Sequence, residues 1–190
     1  RVLFRSGMQA IPTTGVAQGI KYILEHQLQD FENTPIALCS LGDGSVTEGE
    51  VSEAFQFAAL HQLPILFLVQ DNDWGISVSS DEARSMDAYE YIGGFKGFQR
   101  MRIDGTHFDE CYTQMEYALD WVRTERKPFL MHAKVPLNGH HTSGVRKEWY
   151  RTEEDLAKHL KDDPGPKLYQ FLLDKKWATE SELAAIEEEE

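Results

Sequence analysis

Ile36-Ala37-Leu38-Cys39-Ser40-Leu41-Gly42-Asp43-Gly44-Ser45-Val46-Thr47-Glu48-Gly49-Glu50 is the stretch that decides the fold. Its first six residues form a short, nearly continuous apolar run with the length of a strand buried on both faces, and the run stops at a glycine pair flanking a carboxylate. A helical pattern follows at once, Glu50 to His61, with Val51, Ala54, Phe55 and Ala58 on one face. Two further apolar runs, Ile65 to Val69 and Phe129 to Val135, have the same length and are likewise bounded by Pro, Gly or Asn. Helical patterns alternate with them: Gly15 to Phe31, carrying Val16, Ile20, Ile23, Leu24 and Leu28, and Phe108 to Arg126, carrying Phe108, Tyr112, Met115, Leu119 and Val122. Buried strands alternating with helices predict an α/β fold, a parallel sheet flanked by helices on both faces. Ligands of such sheets bind at the carboxyl ends of the strands.

Beyond Val135 the character changes. Pro136 to Arg151 has two His, two Gly and no apolar periodicity, which predicts a long surface loop; loops of that length are uncommon unless functional. From Thr152 the chain reads as a charged helical C-terminal extension, with helices over Glu153 to Lys161 and Pro166 to Lys176 and a last one capped at Thr179 or Ser181. The expected divisions are an α/β ligand-binding domain over 7–135, a histidine-containing loop over 136–151 and the helical extension over 152–190. Arg1-Val2-Leu3-Phe4-Arg5-Ser6 back-translates to the end of a common sequencing-library adapter, so residues 1–6 are expected to be non-native read-through. With no initiator Met and a chain that stops at four glutamates, a piece of a longer protein is expected.

The 190 residues carry 32 Asp and Glu against 19 Lys and Arg, a net charge of −13 that argues against a nucleic-acid partner. Hydrophobic residues at 41%, with 14 Gly and 7 Pro, give an ordinary globular composition with enough apolar material for one core. The apolar runs fall far short of the ~20 residues a membrane span needs, and no basic-then-apolar signal segment opens the chain. Neither a membrane nor a secretory route is expected, and the expected location is a bacterial-type cytoplasm. Cys39 and Cys111 are too few for a disulfide framework or a zinc site.

The chemistry-bearing residues stand where a ligand would bind. Gly42-Asp43-Gly44 follows the first buried strand, and Asp71-Asn72-Asp73-Trp74-Gly75 follows the second, with Asp43 and Asn72 29 positions apart. A strand, two glycines around a carboxylate and a helix N-terminus let backbone N–H groups approach a diphosphate with little obstruction. A diphosphate in such a place travels with a hard divalent cation, and magnesium takes oxygen ligands. Asp43, the side-chain oxygen of Asn72 and the carbonyl of Trp74 are the candidate ligands. Taken singly, a Gly-Asp-Gly turn or an Asn after a strand is ordinary loop chemistry; the ordered combination is what points to a site.

That combination resembles the thiamine-diphosphate family, whose motif is Gly-Asp-Gly followed some thirty residues later by Asn. Glu48-Gly49, Glu53-Ala54-Phe55 and Ala58-Ala59-Leu60 narrow the resemblance to the alpha-type part of the decarboxylating component of 2-oxo acid dehydrogenase complexes. Gly139-His140-His141-Thr142-Ser143 is similar to that family's histidine loop, closer to its branched-chain members than to pyruvate-specific ones, and Ser6-Gly7-Met8-Gln9-Ala10-Ile11-Pro12 resembles its segment beside the aminopyrimidine ring. The resemblance implies thiamine diphosphate and magnesium as cofactors, with Asp43, Asn72 and Trp74 on the metal and Gly42, Gly44 and Ser45 on the diphosphate. Met8 matches a main-chain contact to the aminopyrimidine. His141, with His140 beside it, matches the histidine that reaches the cofactor and reacting carbon. It also implies oxidative decarboxylation of a 2-oxo acid, acyl transfer to the lipoyl domain of an acyltransferase component, a beta-type region that completes the active site, and a hetero- or homo-oligomer.

Some positions depart from the family pattern. Asp71 stands where relatives often carry a second Asn, adding a negative charge beside the site, and is left without a role. Leu137 stands where branched-chain relatives have an Arg, so a phosphate contact is missing or replaced by Arg146. Thr142 falls where some relatives are phosphorylated. His26, His61, His107, His132 and His159 read as structural. Two rival readings remain: a transketolase-type carbon–carbon transferase, disfavoured because Pro136 to Ser143 has no Arg or Lys for a sugar phosphate, and a non-catalytic acidic interaction module on the same fold.

Overall fold

The computed structural model describes residues 7–189; the reading of residues 1–6 as foreign lies outside them. The anticipated alternation is present. Helix α1 (Ala10–Glu25) precedes β1 (Ala37–Gly42), α2 (Gly49–His61) and β2 (Ile65–Asp71); a small hairpin, β3 (Trp74–Gly75) with β4 (Val78–Ser79), and two short helices, α3 (Ser80–Ala83) and α4 (Ala88–Ile92), lead to β5 (Gln99–Asp104), α5 (Phe108–Glu125) and β6 (Phe129–Lys134). The main sheet has the order β1-β2-β6-β5 with every pair parallel.

Strand alternation splits the core in two. Ile65, Phe67 and Val69 of β2 face the layer made by α1, α2 and α4, while Leu66 and Leu68 face α5 with Ala118, Val122 and Met131. Phe55 of α2 is fully buried at the centre of the first layer, edge-on to Phe67 at 4.9 Å between ring centroids and to Phe95 and Phe98 at 5.8 Å each. This two-sided burial is why β2 reads as an unbroken apolar run rather than an alternating one.

The register puts Asp71 at the end of β2 opposite Lys134 at the end of β6, and Lys134 opposite Asp104 at the end of β5. All the carboxyl ends therefore open on one edge of the sheet. The C-terminal helices α6 (Glu153–Lys161), α7 (Pro164–Asp174) and α8 (Glu180–Glu189) follow the loop, and α6 is tied back to it where the Leu137 N–H donates to His159 Nδ1 at 2.8 Å. Among the described residues no helix is long and apolar enough to cross a membrane.

Some elements differ from the sequence expectation, and α7 runs over Pro164–Asp174 rather than Pro166 to Lys176. Helix α1 begins five residues earlier than its periodic face suggested and ends at Glu25, before Leu28. A fourth sheet strand, β5, was not anticipated: it is an edge strand whose Arg100 and Arg102 break the apolar run, as charged edges do.

Candidate functional site

The loops after β1 and β2 meet: a Cβ on Gly44 would lie 3.8 Å from Gly75 Cα, while one on Gly42 would face open space. Asp43 opens a single 3-10 turn, Asp43–Thr47, and its carboxylate is buried. Asn72 closes an Asx turn, its Oδ1 accepting from the Trp74 N–H at 3.0 Å. Asp73 (φ 66°) and Ile76 (φ 60°) hold left-handed backbone on this hairpin, a strained conformation for a β-branched residue and one that concentrates at functional sites.

Asp43, Asn72, Trp74, Gly42, Gly44 and Ser45 are thus brought together at one corner of the sheet. Met8 is exposed, but its neighbours tie it there: a Cβ on Gly7 would reach Val51 Cγ2 at 2.7 Å, and Gln9 Nε2 donates to the Ser40 carbonyl at 2.8 Å. His140 and His141 are exposed on the loop after β6, and His140 Nδ1 accepts from the Lys147 N–H at 3.3 Å. Among the described residues no side-chain hydrogen bond joins either ring to Asp43, Asn72 or Trp74. The loop is nevertheless pinned to this corner at both ends. The Val135 N–H donates to the Asp71 carbonyl at 2.9 Å, and at the far end Tyr150 and the Arg151 guanidinium pack on the Trp74 ring, each at 5.4 Å. Arg146, weighed as a substitute phosphate contact, is exposed; the cation at Leu137 is Arg151, whose Nη1 donates to the Leu137 carbonyl at 2.7 Å.

Sequence reasoning missed the charges that organise this corner. The Arg84 guanidinium bridges two buried acids, Nη1 donating to Asp43 Oδ2 at 2.6 Å and Nη2 to Asp71 Oδ1 at 2.9 Å, with only 10% of its side chain exposed. Asp71 also pairs with His132 Nε2 at 2.8 Å and lies 3.5 Å from Lys134 Nζ. Lys134 in turn pairs with Asp73. Burial alone would raise the Asp71 carboxyl; the hydrogen bonds from His132 and the Asp73 N–H and the charges of Lys134 and Arg84 outweigh it and hold the group well below the usual carboxylate range. For Asp43, burial comes first and the negative charge of Asp71 second, and together they raise its carboxyl in spite of Arg84. A signal for this network was available: an extra acid at Asp71 requires buried counter-charges, and His132 interrupts an otherwise apolar strand.

Among the described residues no cluster of three or more His, Cys, Asp or Glu side chains is arranged to hold a metal. The oxygen donors that could hold a cation here are one carboxylate, Asp43, one amide, Asn72, and one backbone carbonyl, Trp74. Such hard oxygen donors suit magnesium and not a thiophilic metal.

Fold and site define a parallel α/β domain with a glycine-flanked buried carboxylate at the carboxyl edge of its sheet. The chain belongs to the dehydrogenase E1 component family, which it matches over residues 5–190. It is 33% identical over 186 residues to the pyruvate dehydrogenase E1 component subunit alpha of Rickettsia conorii, covering 96% of this chain and 53% of that protein. It is 34% identical over 148 residues to the 3-methyl-2-oxobutanoate dehydrogenase subunit alpha of Mycobacterium tuberculosis, covering 77% of this chain and 40% of that protein. The chain spans about half the length of the curated relatives it matches. Among solved structures, transketolase from Campylobacter jejuni superposes with a TM-score of 0.61 over 84% of this chain and 26% of that one, at 22% identity, a likeness of fold.

Proposed function

We propose that this chain is the alpha-type, thiamine-diphosphate-binding part of the decarboxylating component of a 2-oxo acid dehydrogenase complex. The observation that carries the reading is Asp43: a buried carboxylate between two glycines, already holding a positive charge and adjoining Asn72. The residues fit the cofactor. Gly42 fronts open space, Gly44 meets only Gly75 Cα, and the Arg84 guanidinium paired with Asp43 supports reading this corner as a cation site. Bound thiamine diphosphate supplies an electron sink for losing carbon dioxide from a 2-oxo acid. Asp43, Asn72 and the Trp74 carbonyl hold magnesium, the backbone of Gly44 and Ser45 receives the diphosphate, and the main chain at Met8 meets the aminopyrimidine. His141, with His140 beside it on the pinned loop, donates a hydrogen bond to the oxygen where negative charge develops and moves protons during acyl transfer.

The lipoyl domain of an acyltransferase component takes the acyl group, and a beta-type region, in the same chain or a second subunit, completes the site within an oligomer in the bacterial cytoplasm. The histidine loop favours a branched-chain 2-oxo acid; relatives named for pyruvate and for 3-methyl-2-oxobutanoate bracket the choice. Product trapping with the complete protein tests the proposal: an acylated lipoyl domain from a 2-oxo acid supports it, and two-carbon transfer from a ketose phosphate would establish the transketolase-type reading instead. A complete protein that binds no cofactor and turns over neither substrate would leave the interaction module.

A further inference from the structure

The cation on Asp43 belongs to the chain itself, and we infer that Arg84 is a resident counter-ion that a divalent metal must displace from Asp43, so that Arg84 sets the metal affinity of the site. The inference rests on the reading of Asp43 as a metal ligand and adds what opposes the metal. One guanidinium bridges both acids, with one charge-assisted contact of 2.6 Å to Asp43 and one of 2.9 Å to Asp71. A dication on the same Asp43 carboxylate would stand within a few ångströms of the guanidinium, and like charges at that distance repel strongly in a buried setting. The two cations compete for Asp43.

Local structure gives Arg84 somewhere to go. It follows α3, a single turn whose residues Asp81, Glu82 and Ala83 are exposed, and Ser85 and Met86 after it are exposed as well. A segment with so little buried surface moves at low cost. The turn is held internally where Glu82 accepts from the Ser79 N–H at 3.0 Å and from Ser79 Oγ at 2.8 Å, and the Ser80 N–H bond to the Asp73 carbonyl at 2.8 Å anchors its start, about which the Arg84 end can swing. Asp71 keeps its other partners throughout, because the Lys134 ammonium at 3.5 Å and the His132 Nε2 hydrogen bond remain beside it. Arg84 therefore surrenders one carboxylate, Asp43, and retains the other. In the metal-free chain the same contact neutralises two buried acids that would otherwise repel.

Manganese binding followed by electron paramagnetic resonance, with thiamine diphosphate present and on the chain as it exists, tests this without requiring turnover. Arg84→Met removes the competitor and is expected to tighten manganese binding at least about tenfold, the equivalent of one charge-assisted contact no longer broken on binding. Arg84→Lys, a single point charge that cannot fork, should fall between Arg84→Met and the parent chain. Asp43→Asn should abolish binding in every background. Should Arg84→Met fail to fold, Arg84→Lys decides alone, since tighter binding supports the inference and equal or weaker binding overturns it. Asp43-dependent binding of equal strength in parent and both variants overturns the counter-ion role and leaves the proposed function standing; binding that never depends on Asp43 overturns both.

Discussion

His132 Nε2 lies 2.8 Å from a carboxylate oxygen of Asp71, joining the middle of β6 to the end of β2 beneath the proposed cofactor site. Both side chains are almost fully buried, so the imidazole must present an N–H on Nε2 to make the bond. Asp71 is thereby a fixed anion, while Asp43, one strand over, is an anion under strain.

The two acids should respond oppositely to neutralisation. The Asp71 carboxyl sits below its unfolded value of about 3.9, so its ionised form stabilises the fold above that value and the contribution disappears as pH falls toward the folded value. Thermal melts from pH 7 to pH 3 should show a falling midpoint below about pH 4, and Asp71→Asn should flatten that limb while costing about 1–3 kcal/mol at neutral pH. The Asp43 carboxyl is raised, so its ionised form is a burden above its unfolded value. Asp43→Asn should therefore cost less at neutral pH than Asp71→Asn, because relief of burial and of the Asp71 repulsion offsets the weakened contact with Arg84. A large drop for Asp43→Asn would contradict this account of the charges.

Phe55 is the keystone of the α1–α2 face of the sheet, with no exposed surface and three phenylalanine rings around it. Phe55→Ala should cost about 3–5 kcal/mol in denaturant unfolding. Leu60→Ala, on the same helix but 70% exposed, should change stability by no more than about 0.5 kcal/mol.

Gly7 takes φ +79°, and a Cβ there would sit 2.7 Å from Val51 Cγ2. Gly7→Ala should destabilise by about 1 kcal/mol or more through backbone strain. It should also expose the segment around Met8 to proteolysis sooner than the core. Equal protection of this segment in parent and variant would show that Gly7 does not anchor it.

Strands β2 and β6, the helices packed on them and the Gly-Asp-Gly corner were legible because burial on both faces forces continuous apolar runs and because a diphosphate site needs glycine and oxygen donors in order; β1 was legible from the same kind of run, but at the sheet edge its residues alternate buried and exposed, with Leu38 outward, rather than being buried on both faces. Strand β5 was not, although Met101 and Ile103 alternate with Arg100 and Arg102 at the period of a half-exposed strand. Arg84 was hidden for a different reason. It lies 41 positions from Asp43 and 13 from Asp71 on an exposed turn, so nothing local announces that its guanidinium closes over both acids. The acid at Asp71, which first read as an unexplained charge, is the part of the sequence that required it.

Equilibrium dialysis of thiamine diphosphate against this chain, with and without magnesium and with Asp43→Asn alongside, tests the central claim most directly. The site proposed here predicts saturable binding that needs magnesium and disappears in Asp43→Asn, and that is weaker than micromolar until a beta-type region is supplied, because the cofactor is shared between the two. Binding indifferent to magnesium or to Asp43→Asn would contradict the site, and submicromolar binding by the chain alone would contradict its being shared.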